Sequence, residues 1–428
     1  MNRGAAIPAL AALIVMTLVA ACTQADPTPA PVETSPLPGA TTTATPTAAP
    51  TLPNIPRLGQ GPSRLLELMK KFPASFKEQG MWFADYGRAL ELDNAPRPRS
   101  FKEYASLSKD ERDAYDAARR GLVLRADLLE KARTGAQQWE EAFGFGMFDM
   151  DLLVSIGSYS ADPLQLAYLE GDFRKEAIRE RLLNLGYQER FVSESVYYAI
   201  RGDYEADIRD PAGRRALSSM NRVFVEDGTL VAAPDTDRVL KVMEHSAGGR
   251  PALADEAMFS NLAASLGDPL SAALLTRSAA VKLEGATTTI YPLGVTPPAY
   301  ETPEEWGTLH QWEAVGAGYV IADGSTWWGL SLFYSNPNAA GADAEELVRR
   351  MTGHKTAISL FYQEPSEEPP AQQPKQPFAE FCSSLAPSVR SDENGSTLTA
   401  WCRVGDNPIG NQWWSAFLRM RDLSFLLR

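Results

Sequence analysis

The stretch AGYVIADGSTWWGLSLFY, residues 317–334, decides the fold class of this chain. It contains two apolar runs, Ala317–Ala322 and Trp328–Tyr334, on either side of Asp323-Gly324. Asp-Gly offers the positive φ angles that a type I′ turn needs, and apolar runs around such a turn are typical of a β-hairpin. Asp227-Gly228 and Asn394-Gly395 stand in similar surroundings, so we predict hairpins there too.

Two regions of the chain show predicted elements in the same order, namely hairpin, helix, strand, hairpin and helix. We therefore expect an α+β fold of two similar antiparallel sheet units with helices on one face, produced by internal duplication. The first region has strands at Leu152–Ser158 and Leu164–Glu170, a helix from Asp172 to Gly186, a strand at Ser195–Ile200, a hairpin of Arg222–Val225 with Thr229–Ala232, and a helix from Asp235 to Ala247. The second has strands at Ala317–Ala322 and Trp328–Tyr334, a helix capped by Asp343 and ending near Gly353, a strand at Ala357–Tyr362, a hairpin carrying Leu398–Val404, and a helix from Trp413 to Leu427.

The segment before these units reads mainly as helices. Ser100 and Ser108 each begin a capping-box pattern, with a glutamate three residues on. A short apolar run at Met81–Ala84 predicts a strand between the helices. In the connector between the units, Asp255–Leu266 and Pro269–Leu275 are predicted as helices.

The predicted organisation follows from these patterns. It comprises a signal peptide (1–21), a lipidated cysteine with a disordered tether (22–56), a mainly helical segment (57–142), the first α+β unit (143–250), a helical and Pro-rich connector (251–305) and the second α+β unit (306–428).

The amino terminus has the layout of an export signal. Arg3 is followed by an apolar run that ends in Leu18-Val19-Ala20-Ala21-Cys22. This ending resembles the lipobox of bacterial lipoproteins, in which an aliphatic residue and two small residues precede the cysteine. The resemblance covers the signal region only. It implies cleavage before Cys22, a lipid on its thiol and stable anchoring by two or three acyl chains.

Residues 23–56 are rich in Pro, Thr and Ala, and Asp26 and Glu33 are their only charges. Such a composition cannot bury a core and favours extended, polyproline-like conformations. At about 3.1 Å per residue the tract reaches at most roughly 100 Å. We expect it to hold a folded domain away from the membrane surface.

The net charge of the chain limits the kinds of partner that it can bind. Removing residues 1–21, whose only charged residue is Arg3, takes the formal net charge from −13 to −14. An acidic surface repels phosphate backbones and anionic headgroups, so we expect no nucleic-acid partner and attachment to the membrane through the covalent lipid alone. About 370 residues follow the tether, which is enough for a substantial core.

Two cysteines lie outside the anchor, Cys382 and Cys402. Because thiols oxidise outside the cytoplasm, the pair predicts a disulfide that contributes roughly 3 kcal/mol. The alternative is a pair of metal ligands, but neither cysteine has a neighbouring His or Cys to complete a metal site.

Motifs for catalysis are missing from the sequence. It contains no Gly-x-Ser-x-Gly, no His-Glu-x-x-His and no complete nucleotide loop, since Gly144-Phe145-Gly146 and Gly316-Ala317-Gly318 lack a third glycine and are interpreted as turns or bulges. His245, His310 and His354 are interpreted as structural. We predict no catalytic residue, no metal site and no cofactor.

Three further patterns have two interpretations. Asp149-Met150-Asp151 is expected to flank a strand edge with both carboxylates in water, and calcium binding is the alternative. The five tryptophans Trp327, Trp328, Trp401, Trp413 and Trp414 suit either an aromatic ligand platform or, in the favoured interpretation, the core. Arg201-Gly202-Asp203 resembles adhesion motifs read by integrins, although three common residues also occur together by chance.

Two classes of function remain. The first is a non-enzymatic extracytoplasmic lipoprotein that binds an envelope protein or a small ligand. The alternative is a carboxylate-dependent hydrolase at the cell envelope, because the 54 acidic residues leave many candidate pairs. Buried carboxylates that converge in a cleft would favour the hydrolase.

Overall fold

A computed structural model describes residues 63–120, 122, 132, 135–157, 166–209, 211–248, 250–285, 306–353, 355–356, 376–377, 382–404 and 424–427. The fold is α+β with a large antiparallel sheet, as predicted. The predictions for the signal peptide, Cys22, the tether, the strand at Ala357–Tyr362, His354 and Trp413-Trp414 lie outside the described residues.

The described strands are β1 Met81–Asp85, β2 Met150–Ile156, β3 Leu166–Gly171, β4 Gln188–Val192, β5 Ser195–Ala199, β6 Arg222–Glu226, β7 Thr229–Ala233, β8 Ser271–Thr276, β9 Ala314–Ala322, β10 Ser325–Tyr334, β11 Lys355–Thr356, β12 Gln376–Pro377, β13 Cys382–Asp392 and β14 Gly395–Val404. The longest strands, β9, β10, β13 and β14, lie in the second half of the chain.

Helices lie between several of these strands. They are α1 Arg64–Met69, α2 Tyr86–Leu92, α3 Phe101–Ser106, α4 Lys109–Arg120, α5 Ala136–Phe143, α6 Lys175–Asn184, α7 Pro211–Ala216, α8 Thr236–Ser246, α9 Ala257–Leu266, α10 Arg277–Gly285, α11 Ala339–Gly353 and α12 Ser424–Leu427, with 3₁₀ helices at Ala74–Gln79 and Leu253–Asp255.

Strands from both predicted units belong to one sheet. The order of its strands is β13-β14-β10-β9-β8-β1-β2-β3-β7-β6-β5-β4, and neighbouring strands are antiparallel. The sheet is continuous because β1 pairs with β2 on one side and with β8 on the other. The segment predicted as mainly helical and the connector thus supply β1 and β8, the two strands that join the halves of the sheet. The order β1-β2-β3-β7-β6 in one half corresponds to β8-β9-β10-β14-β13 in the other.

Helices cover both faces of this sheet, so the prediction of helices on one face was wrong. One core contains Trp82, Leu153 and Trp328 and is covered by α5, α6, α11 and α12. The other contains Phe83, Val154 and Leu274 and is covered by α1, α8 and α9. The physical reason is visible in β1 and β8, which are buried at every position and therefore need cover on both sides.

Several predicted elements need correction. Pro269–Leu275 was predicted as a helix, but β8 occupies this run because two strands flank it, and pairing in the sheet overrides the helix propensity of Ala and Leu. Asp343 does not cap its helix, which already begins at Ala339; its side chain is buried. Strand β4 was not predicted at all.

The glycine pairs also need a partial correction. Gly144 ends α5 in the left-handed conformation, so the prediction of a turn there is confirmed. Gly316 and Gly318 lie inside β9 instead of in a turn. A Cβ at these positions would approach Leu262 and Leu266 of α9 to 3.3 and 3.2 Å, so the glycines let this helix pack closely on the sheet.

The hairpin turns differ from one another. Asp323 and Gly324 both have positive φ, 50° and 68°, as a type I′ turn requires. At Asp227-Gly228 only the glycine has positive φ, 79°. Gly395 has φ 146° and already belongs to β14, so the type I′ prediction is right only for the first turn. The hairpins themselves form as predicted.

Candidate functional site

The connection between β5 and β6, residues 200–221, is the candidate functional site, and we call it the β5–β6 loop. Strands β5 and β6 are neighbours in the sheet, so a short turn would be enough to join them. The chain instead makes a long excursion that includes helix α7. Long ordered connections between paired strands are uncommon and often carry function.

Backbone strain is concentrated in this loop. Among the described residues, six that are not glycine have positive φ, and three of them are Arg201, Tyr204 and Leu217, with φ 59°, 65° and 51°. Each such conformation costs about 1–2 kcal/mol and persists only where the surroundings enforce it. The loop also exposes large apolar side chains, since Tyr204, Ile208 and Leu217 are 47%, 67% and 38% exposed.

Asn221 fixes the conformation of the β5–β6 loop. Its side chain is fully buried, and its Nδ2 donates to the carbonyl oxygens of Gly202 at 2.9 Å and Glu205 at 2.8 Å. Its Oδ1 accepts from Nη1 of Arg201 at 3.4 Å. One buried amide therefore holds both ends of the tight turn in which Arg201 and Tyr204 are strained.

Arg222 forms the second support. Its buried guanidinium donates to the carbonyl oxygens of Ile200 at 3.0 Å and Asn221 at 2.8 Å, and to Oγ1 of Thr236 at 2.8 Å. It also lies 2.7 Å from Oδ1 of Asp203. The same oxygen accepts from the backbone N–H of Thr236 at 3.0 Å and from its hydroxyl at 2.9 Å. The base of the loop is thereby joined to the start of α8 by charge-assisted hydrogen bonds.

Hydrogen bonds hold both the backbone and the hydroxyl group of Tyr204. Its backbone N–H donates to the carbonyl of Pro234 at 2.9 Å, and Nη1 of Arg238 donates to its hydroxyl at 3.1 Å. Arg238 in turn pairs with Asp235, the N-cap of α8. Partial burial raises the pKa of Tyr204, although Arg238 acts in the opposite direction, so the phenol stays protonated at neutral pH.

The loop therefore presents apolar and aromatic groups from a rigid base. Binding surfaces gain affinity when their side chains need little ordering on contact, and Tyr and Arg are enriched at such surfaces. Arg209, with a side chain 88% exposed, lies beside Ile208 in the chain and offers a charged rim. The arrangement suits recognition of another surface, whereas none of these groups forms a nucleophile–base pair.

The Arg-Gly-Asp tripeptide lies at the base of this loop. The Oδ1 atom of Asp203 is bound by Arg222 and Thr236, so this carboxylate has an internal structural role. Sequence analysis missed Asn221, Tyr204 and Ile208. The available signal was the long run between Ile200 and Arg222 to which no element was assigned.

Cys382 and Cys402 form a disulfide, as predicted, with 5.3 Å between their Cα atoms. Cys402 is fully buried on β14, and Cys382 begins the edge strand β13. The ladder between these strands has an irregularity between Cys382 and Ser384. The bridge therefore fixes the end of an outer strand at the point where its hydrogen-bonded register shifts.

Three of the five tryptophans considered above are described, and all three are buried. Trp328 is fully buried among the residues between the sheet and α11, and Trp327 and Trp401 are buried on the opposite face with Val320. The ring of Trp401 lies over Gly329, where a Cβ would come within 2.8 Å of it. The alternative of an exposed aromatic platform is wrong for these three residues.

The two described histidines connect elements. Nε2 of His245 lies 2.8 Å from the carbonyl of Lys70, which joins the end of α8 to the end of α1. The backbone N–H of His310 donates to Oδ2 of Asp343 at 2.8 Å, and its Nδ1 lies 2.6 Å from Oδ1. The hydroxyl of Tyr334 also donates to Asp343, at 2.9 Å, and burial raises the pKa of this tyrosine. Asp343 thus fixes the segment that enters β9.

The carboxylates of Asp149 and Asp151 are not in open water, which corrects the prediction. Asp151 pairs with Arg97, and Asp149 accepts from the backbone N–H of Gly146 at 2.7 Å. Burial raises the pKa of Asp149 to about 6, and the nearby charge of Asp172 acts in the same direction. Within the described ranges, no group of three His, Cys, Asp or Glu side chains is arranged to hold a metal ion.

Comparison with known proteins gives little further information. No protein-family model matches the chain, and no curated protein matches it. Two crystal forms of TP0453, forms I and III, align over 80% and 81% of this chain and 97% of that chain, with 7% sequence identity and a TM-score of 0.31. Similarity at this level supports no argument about function. Among the described residues, none of the helices has the length and apolar character needed to cross a membrane.

Proposed function

We propose that the chain is a bacterial lipoprotein, cleaved before Cys22 and anchored by lipid on the extracytoplasmic face of the cell membrane. The run Leu18–Cys22 and the Pro-, Thr- and Ala-rich residues 23–56 support this proposal. The disulfide between Cys382 and Cys402 also supports it, because such bonds persist in oxidising compartments.

We further propose that the anchored domain binds an envelope protein or a small ligand, without catalysis, through the β5–β6 loop. One observation carries this proposal: Tyr204, Ile208 and Leu217 are exposed on a strained loop that Asn221 and Arg222 hold in place. Strain and buried polar support at an exposed apolar surface are features of binding sites.

The anchor is tested by the variant Cys22→Ser, with Thr23→Ala as the matched control. Cys22→Ser should move the protein from the membrane fraction to the soluble fraction, whereas Thr23→Ala should remain in the membrane fraction. Mass spectrometry of the mature amino terminus should show acyl groups. An unmodified amino terminus, or an unchanged partition of Cys22→Ser after washing without detergent, would contradict the anchor.

Binding is tested by crosslinking in cells that carry the tagged, lipidated protein, followed by identification of the captured molecule. Ile208→Asp places a charge on the exposed apolar surface and should reduce capture at least tenfold. Leu92→Asp is the control, because Leu92 is also an exposed apolar side chain but lies on α2. Equal capture by both variants would exclude the β5–β6 loop as the binding site.

A carboxylate-dependent hydrolase is the second candidate, and one observation favours it. The pKa of Asp149 is raised to about 6, and burial also raises the pKa of nearby Glu140. In glycoside hydrolysis one carboxyl group with a raised pKa serves as the general acid, and a second carboxylate acts as base or nucleophile. The test compares the wild-type protein and Asp149→Asn on cell-wall polysaccharide. Hydrolysis by the wild type alone would establish this function. If neither protein hydrolyses the polysaccharide, the hydrolase proposal is wrong.

We also propose that the two halves of the sheet arose by duplication. The correspondence between β1-β2-β3-β7-β6 and β8-β9-β10-β14-β13 supports the proposal, as does the antiparallel pairing of β1 with β8 at the junction. An antiparallel junction is the arrangement that a local twofold axis produces.

A further inference from the structure

Strand β4 ends the sheet with an exposed aromatic residue. It is the outermost strand in the described order and pairs with β5. Phe191 on this strand is 72% exposed, the highest value of any large apolar side chain in the described part of the chain. An exposed edge strand is a template on which another strand can pair.

The direction of the backbone groups on β4 follows from the sheet register. The N–H of Ile200 donates to the carbonyl of Asn221 at 3.0 Å, on the side of β6. Because successive residues of a strand alternate their N–H and C=O directions, Tyr197 and Ala199 turn toward β4. They oppose Arg190 and Gln188 there. The remaining residues of β4, Glu189 and Phe191, thus point their N–H and C=O groups away from the sheet.

We propose that two copies of this chain form a symmetric dimer by antiparallel pairing of β4 with β4, centred on Phe191. In this register the two Phe191 residues exchange both backbone hydrogen bonds, and their rings form a cross-strand aromatic pair. Glu189 opposes Ser193, and Arg190 opposes Val192. No like charges are directly opposite, and both faces of the sheet continue across the junction.

The alternative self-pairings are less favourable. A register centred on Glu189 places two carboxylates opposite each other, which is destabilising. A register centred on Arg190 makes that residue a non-hydrogen-bonded pair and places two guanidinium groups directly opposite each other, which is likewise destabilising. The two Arg190 side chains lie diagonally across the junction in the proposed register, so added salt should strengthen the dimer.

The opposite edge of the sheet is protected against pairing. Strand β13 carries Pro387 in its middle, which has no N–H to donate. Pairing of β4 with β13 of another copy would repeat without closure and give filaments, whereas β4 with β4 closes after two copies. The proline therefore favours the closed dimer over the open assembly.

Disulfide trapping tests the register in a full-length Cys22→Ser background, so the result does not depend on the lipid anchor. Phe191→Cys should give a covalent dimer on mild oxidation, since Cα atoms of a hydrogen-bonded pair lie about 5.5 Å apart. Glu189→Cys is the matched control on the same strand, because its copies would lie about 13 Å apart. Val389→Cys, on the exposed edge strand β13, controls for random collision.

Sedimentation velocity supplies an independent measurement on the same background. Phe191→Pro removes the outward-facing N–H and leaves the hydrogen bonds between β4 and β5 intact. It should raise the dimer dissociation constant at least tenfold. Phe191→Asp should act in the same direction, and Phe191→Tyr should preserve the dimer. Far-ultraviolet circular dichroism and an intact Cys382–Cys402 bridge would show that each variant is folded.

Several outcomes would overturn the proposal. They are a wild-type chain that stays monomeric at all accessible concentrations, equal association of Phe191→Pro and wild type, and crosslinking of Phe191→Cys no faster than that of Val389→Cys. Capture of a different polypeptide by Phe191→Cys in cells, in place of a second copy, would assign the edge to another partner.

Discussion

Asn221 illustrates how one residue can determine the form of a loop. Its buried amide binds the carbonyl groups of Gly202 and Glu205, so these groups lose their partner when it is removed. Asn221→Ala should lower the free energy of unfolding by about 2–3 kcal/mol. Urea unfolding would measure this, with the exposed Gln137→Ala as a control that changes it by less than about 0.5 kcal/mol. Similar values for both variants would show that the amide does not support the loop.

Because the pKa of Asp149 is raised in the folded chain, we expect the stability of the protein to depend on pH. Its pKa rises from 3.8 in the unfolded chain to about 6 in the folded chain, so the folded state binds more protons between these values. Stability should therefore fall as the pH rises from about 4 to 6, by at most about 3 kcal/mol from this group. Asp149→Asn cannot ionise but can still accept from Gly146, so it should be more stable than wild type at pH 7 and similar at pH 4.

Urea unfolding at both pH values measures this difference. Glu141→Gln, an exposed carboxyl on α5, provides the control and should have little effect at either pH. A stability difference between Asp149→Asn and wild type that is the same at pH 4 and pH 7 would show that the carboxyl group is not perturbed by burial.

At the residue level, sequence analysis predicted covalent chemistry better than the candidate site. A pair of cysteines in a chain that is expected to be exported has one simple interpretation, and the disulfide is confirmed. A buried Asn221 and an exposed Tyr204 have no such signature, because burial depends on residues far away in the sequence. The carboxylate of Asp149 was placed in water for the same reason.

The disulfide acts on the element that it closes. Replacing both Cys382 and Cys402 with alanine should lower the free energy of unfolding by about 3 kcal/mol, since the bridge closes a loop of about 20 residues. Hydrogen exchange should accelerate first in β13. The amides of β6 and β7, on the far side of the sheet, serve as the internal reference. Uniform acceleration in all strands would contradict this local role.

Elements with local signals were predicted well. The helix capped by Asp235, the hairpins and the strand at Met81 all formed where turn residues, caps or β-rich runs marked them. β8 was predicted as a helix because Ala and Leu suit helices, and only the flanking strands β1 and β9 decide otherwise. Helices on both faces escaped prediction because the apolar runs were expected to bury only one face of the sheet.

At the scale of the whole molecule, twelve of the described strands form one continuous sheet, and this predicts how the protein unfolds. Because β1 and β8 join the halves through continuous hydrogen bonding, neither half can lose its strand at this junction without exposing an edge of the other half. Thermal unfolding should therefore show a single transition. Calorimetry, with far-ultraviolet circular dichroism and tryptophan fluorescence as independent probes, would test this. Two separated transitions would show that the halves are independent units.

The pairing of β1 with β8 also has a consequence for biosynthesis. A ribosome completes β1 at residue 85, but the strand that covers its second edge is complete only at residue 276. During this interval the earlier half carries an uncovered strand, and closing so long a loop is slow. A chain that crosses a membrane before it folds would thus depend on holding chaperones at its destination until about the first two thirds of the polypeptide have arrived.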